Sequence, residues 1–78
     1  MNRTRRKQLE KALGQAEELK ETIEMIRDDE QEAHDNLPES IQYGERGDAM
    51  QEIVDALDYA VSSLDDAIDN INEALEHE

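Results

Sequence analysis

Seventy-eight residues form one domain at most, and a chain this short buries only a modest core. No cysteine, two tyrosines as the only aromatics, and three glycines beside one proline make a composition of long helices rather than sheets, and exclude disulfide stapling. The net charge of −14 argues against a general binder of nucleic acid or anionic membranes, and no apolar run reaches the length of a membrane span or signal-peptide core.

The first predicted element is a helix over about 4–34. Its apolar seam runs Leu9, Ala12, Ala16, Leu19, Ile23, Ile26, Glu30, Ala33 and Leu37, in alternating steps of three and four, with Leu13 widening it near the start. Glu30 stands where an apolar residue is expected and reads as a register device or a wet position near the loop.

Residues 35–47 read as a loop with a short turn. Pro38 disfavours helix at Leu37. Pro38 to Tyr43 can form one helical turn stopped by Gly44, and Leu37, Ile41 and Tyr43 are expected to close the end of the core. Asp48 is read as the N-cap of the next helix, with Gln51 completing a capping box.

The second long helix is predicted over about 48–77. It carries three columns with seven-residue spacing: Met50, Leu57, Leu64, Ile71; then Ile53, Ala60, Ala67, Ala74; then Val54, Val61, Ile68, Leu75. This stripe is wider than a two-stranded coiled coil needs and suits a helix in a bundle. The alanines form a shallow groove, so the tightest helix–helix contact is expected along Ala60, Ala67 and Ala74.

Charge sets the orientation. Arg3, Arg5, Arg6, Lys7 and Lys11 crowd the first eleven positions, whereas Asp48 to Glu78 holds ten acidic residues and no Lys or Arg. Both ends oppose their helix dipoles, so an antiparallel hairpin setting Arg3, Arg5, Arg6 and Lys7 against Asp69, Glu73, Glu76 and Glu78 is favoured. The expected fold is all-α: an antiparallel, coiled-coil-like two-helix hairpin spanning 1–78 as one domain. Two such helices cannot cover the stripe, and pairing into a homodimeric four-helix bundle is the simplest remedy. The expected self-association seam is Met50, Ile53, Val54, Leu57, Ala60, Val61, Leu64, Ala67, Ile68, Ile71 and Leu75, with Val54, Val61, Ile68 and Leu75 as the flank left free in a lone hairpin.

No catalytic constellation is found. Ser62 and Ser63 lie mid-helix at the rim of the stripe with no oriented base and read as spacers. His34 follows Glu30 by four, and His77 follows Glu73 by four, but neither completes the Glu-x-x-His step of a di-iron bundle, so no metal and no cofactor are expected. Asp28, Asp29, Glu30 and Glu32, like Asp65, Asp66 and Asp69, lack the glycine and ligand spacing of a calcium loop. The basic start, without aromatics, reads as internal charge pairing rather than direct nucleic-acid contact. Met25 and Tyr59 fall on otherwise polar faces, where such residues occur singly or at binding surfaces.

The stretch Asp28-Asp29-Glu30-Gln31-Glu32-Ala33, followed by Asn36-Leu37-Pro38-Glu39-Ser40-Ile41-Gln42 and the acidic heptads of 49–75, resembles uncharacterised small acidic helical-hairpin proteins of Gram-positive bacteria and their phages. The resemblance implies a structured hairpin and a mobile-element origin, and carries no activity. The leading functional expectation is a cytoplasmic, non-enzymatic module for protein–protein assembly. The alternative is an acidic nucleic-acid mimic, in which a face of Asp55, Asp58, Asp65, Asp66, Asp69 and Glu73 inhibits a basic nucleic-acid-binding protein or host defence complex.

Overall fold

Asn2 starts the first helix: its side-chain Oδ1 accepts the Arg5 N–H at 2.8 Å and satisfies a donor that the helix leaves orphaned. The structure, a computed structural model, describes residues 1–77. Three helices follow in chain order, α1 (Arg3–Asp35), α2 (Glu39–Gln42) and α3 (Glu45–Glu76), with no strand among the described residues. The expected antiparallel hairpin is formed by α1 against α3.

The connection is tighter than expected. The Asn36 N–H donates to the Glu32 carbonyl and the Leu37 N–H to the His34 carbonyl, closing α1, and Pro38, with ψ of 144°, turns the chain out of helical conformation. The Gln42 side chain then reaches back and donates to the carbonyls of Asp35 at 3.0 Å and Leu37 at 2.9 Å, capping the end of α1. Gly44 does not act as a left-handed stop. Its φ is −99° and it is the N-cap of α3, so the helix begins at Glu45 and not at Asp48. Asp48 instead lies in the first turn, with its N–H bonded to the Gly44 carbonyl, and Gln51 donates to Asp55 rather than closing a capping box. Glu45 and Asp48 place negative charge where the helix dipole favours it.

Gly47 explains why α3 starts so early. It is buried, and a Cβ built on it would lie 2.0 Å from the Gln42 carbonyl oxygen. Only glycine lets α2 rest directly on the first turn of α3. Leu37 and Ile41 are half-buried at this end of the molecule, as expected, but Tyr43 is 79% exposed and closes nothing.

Along the hairpin, α3 turns one line of residues inward: Gly47, Met50, Val54, Leu57, Val61, Leu64, Ile68, Ile71 and Leu75, all buried or half-buried. Val54 and Val61, at 4% and 8% exposure, are the buried hydrophobic residues of the described chain. The facing line on α1 is Arg6, Leu9, Leu13, Ala16, Lys20, Ile23, Arg27, Glu30 and His34. The expected α1 seam therefore holds at Leu9, Ala16, Ile23 and Glu30. It fails at Leu19, Ile26 and Ala33, which are exposed, while Ala12 is half-buried. Long cationic side chains occupy the second half of the line because their aliphatic stems can cover apolar surface while their heads reach water.

The result is a rod with Cα extents of 58 × 14 × 13 Å. Replacing Gly47 with alanine forces the methyl group into the Gln42 backbone and is expected to cost about 1–3 kcal/mol, the usual scale of overpacking. Urea unfolding followed by circular dichroism measures this, and an unchanged midpoint would show that α2 does not need to lie on α3.

Candidate interaction surfaces

Two ion pairs fix the register of the hairpin. The Lys20 ammonium meets the Asp65 carboxylate, and the Arg27 guanidinium reaches Asp58 at 3.1 Å while also holding its neighbour Asp28 at 3.1 Å. Moving seven residues forward on α1 moves seven back on α3, which sets Leu19 within about one residue of the level of Ala67, Ile26 of Ala60, Ala33 of Ile53 and Ala12 of Ala74. At the open end, Arg6 donates to the backbone carbonyls of Leu75 at 2.7 Å and His77 at 2.8 Å. This corrects the expected pairing of N-terminal cations with carboxylates: among the described residues, the one contact of this kind is Arg6 on the orphan carbonyls that end α3. Glu78, one of the expected partners, lies outside the described residues.

These contacts define one flank of the rod. Asp58 and Asp65 reach across the seam to Arg27 and Lys20, and Glu17, Glu21 and Glu24 line the same shallow dent as Lys20 and Asp65. Asp48, Asp55 and Asp69 stand on the outer side of α3 next to this flank and are exposed. Of the acidic residues singled out from the sequence, Asp58 and Asp65 are engaged by cations, Asp55 accepts from Gln51, and Asp66, Asp69 and Glu73 stand in water. Arg6, Lys20, Arg27 and His34 fall three residues before Leu9, Ile23, Glu30 and Leu37, the heptad spacing of a second seam column, but polar side chains at that spacing match a solvated face equally well.

The opposite flank is different in kind. Its α3 side is the column Ile53, Ala60, Ala67, Ala74, with Ala49, Ala56, Ser63 and Asn70 just outside it. Its α1 side is Ala12, Leu19, Ile26 and Ala33, with Gln8, Gln15, Thr22 and Asp29 outside. In a chain with charged residues at 38%, this face carries a single carboxylate, Asp29, with Arg5 and Arg46 continuing the two columns at its ends. Leu19, Ile26 and Ile53 are 49%, 52% and 49% exposed upon it. The tight helix–helix contact expected along Ala60, Ala67 and Ala74 is not made with α1: Ala67 and Ala74 are exposed, and Ala60 is half-buried. The flank expected to stay free, Val54, Val61, Ile68 and Leu75, is instead the most enclosed column of α3. Turning Asp58 and Asp65 toward the α1 cations rotates the alanines outward.

Chemistry is sparse elsewhere. Among the described residues, no three His, Cys, Asp or Glu side chains converge in a way that could hold a metal ion. The His34 Nδ1 lies 3.3 Å from an Asp35 carboxylate oxygen, and this contact, with the Gln31 amide at 3.0 Å, holds the Asp35 carboxyl below its ordinary value. His77 terminates α3, Ser62 and Ser63 are exposed, and Met25 and Tyr59 project alone into solvent. No described helix is long and apolar enough to cross a membrane.

Bonding to Asp65 holds the Lys20 ammonium above the usual lysine value. The pair's contribution is thus fully present below the unfolded value of 10.5 and is lost as pH rises through the folded value. In urea titrations, Asp65→Asn is expected to lower the midpoint between about pH 7 and 9, and to match the parent once the lysine is neutral in strong alkali. A deficit that persisted there would mean Asp65 acts through something other than Lys20.

In comparisons with known proteins, no family model, no curated protein and no solved structure matches this chain.

Proposed function

We propose that this protein is a non-enzymatic assembly module of the cytoplasm: a helical hairpin that pairs with a second copy into a four-helix bundle. The observation that carries this reading is an unfinished core. A single hairpin encloses only Val54 and Val61 among its described hydrophobic residues, while Leu19, Ile26 and Ile53 stay about half exposed together on one flank. Its Cα radius of gyration is 17.6 Å, against about 11.5 Å for a compact chain of this length. Small domains without disulfides or metals commonly make up such a shortfall by oligomerisation. Association through apolar surface is weakly screened by salt, so light scattering is expected to return twice the 9.0 kDa chain mass at both about 0.1 M and about 1 M salt. A monomer under both conditions would overturn the reading.

The acidic flank supports a second reading, in which the rod imitates nucleic-acid phosphates and occupies a basic binding protein. Asp48, Asp55 and Asp69 share that side with Asp58, Asp65 and the α1 glutamates, so carboxylates run along most of its length. Tight, salt-sensitive binding to a basic nucleic-acid-binding protein is expected, with loss when Asp65, Asp66 and Asp69 are changed to Asn. Binding that survives those changes would remove this reading.

A further inference from the structure

We infer that the second copy docks on the uncharged flank in an antiparallel arrangement, α3 against α3 across the alanine column and α1 against α1 across Leu19 and Ile26. The inference rests on the self-association reading above and adds the face, the direction and the position of the two-fold axis.

The face follows from charge. A chain of net charge −14 repels its own copy across most of its surface. The flank bearing Leu19, Ile26 and Ile53 carries Asp29 as its one carboxylate, with Arg5 and Arg46 at its two ends, so two copies can meet there with almost no carboxylate taken out of water. The apolar surface continues to the end of the rod, where Met1, Arg5, Gln8, Leu9 and Ala12 line a shallow notch.

The area is of the right size. The hairpin exposes 5892 Å², whereas a compact monomer of its mass exposes about 4,900 Å², a surplus on the order of 1,000 Å². A standard interface takes about 800 Å² from each partner.

The direction follows from charge along the rod. One end sets Arg3, Arg5, Arg6, Lys7 and Lys11 beside Glu10, Asp69, Glu73 and Glu76 and is close to neutral, and the other holds Asp28, Asp29, Glu30, Glu32, Asp35, Glu39 and Glu45 against Arg27 and Arg46. Antiparallel docking lays the near-neutral end of each copy over the acidic turn of the other. Parallel docking sets two acidic turns side by side. Packing agrees with this direction. The exposed methyl groups of Ala67 and Ala74 let α3 approach its symmetry mate closely, and Leu19 of one copy comes level with Ile26 of the other. The two-fold axis then passes midway between the Leu19–Ala67 and Ile26–Ala60 levels, beside Thr22 and Ser63.

Because the chain has no cysteine, a single substitution reports the axis cleanly. Ser63→Cys, exposed on the flank, is expected to form a disulfide-linked dimer on mild oxidation, while Asp55→Cys on the opposite side stays unlinked. Ile26→Asp is expected to halve the mass seen by light scattering while circular dichroism remains helical. If Ile26→Asp leaves a wild-type dimer intact and Asp55→Cys cross-links, the face is wrong and self-association stands. If Ile26→Asp halves the mass but Ser63→Cys never cross-links, the antiparallel arrangement is overturned. If the unaltered protein is a monomer, both this inference and the reading beneath it fail.

Discussion

Two helices lying side by side shield only the side chains along their line of contact. In this protein α3 carries three apolar columns, and a single partner helix can cover two of them. Met50, Leu57, Leu64 and Ile71, with Val54, Val61, Ile68 and Leu75, take the covered positions. Ile53, Ala60, Ala67 and Ala74 are left at the edge. The choice between columns is not made by hydrophobicity alone, since the valine and isoleucine column and the alanine column are both apolar. Larger side chains gain more by burial, roughly in proportion to the area they remove from water. The carboxylates beside the valine column also have cations to meet on α1. Both effects turn α3 the same way.

That rotation sorts the charges. Lys20 and Arg27 lie in the seam of α1 and lean toward Asp65 and Asp58, which draws the acidic side of each helix onto one flank. Each pair is open to water on its outer side, so its energetic value is small. Its structural value lies in direction: two cations spaced seven apart meet two carboxylates spaced seven apart in only one antiparallel register. The uncharged flank is the geometric complement of this arrangement. What makes that flank an attractive place for a second copy also makes the acidic flank an unattractive one.

The turn imposes its own constraint. Gln42 caps α1 with its side chain and presses its carbonyl against Gly47 with its backbone, so one residue ties the end of the first helix to the start of the next. A hairpin with a loose loop could slide by a heptad at modest cost, because its seam repeats every seven residues. Gln42 and Gly47 remove that freedom at one end, and Arg6 on the terminal carbonyls of α3 limits it at the other.

The fold was almost wholly legible in the sequence: two periodic apolar segments broken at Pro38 specify a helical hairpin through local propensity, although Gly44 caps the next helix instead of stopping the turn and the N-terminal cations meet terminal carbonyls through Arg6 instead of carboxylates. Half of the α1 seam was legible as well, at Leu9, Ala16, Ile23 and Glu30. The cationic half was not, because a Lys or Arg in a seam looks like a surface residue until its partner across the interface is known. The start of α3 at Glu45 was equally hidden, since the close approach of Gly47 to Gln42 joins residues whose contact no local pattern records. The sequence by itself determined that one apolar column would be left over. Only the tertiary structure decided which one, because periodicity describes each helix alone, whereas the rotation of a helix about its axis is set by what the other helix presents to it.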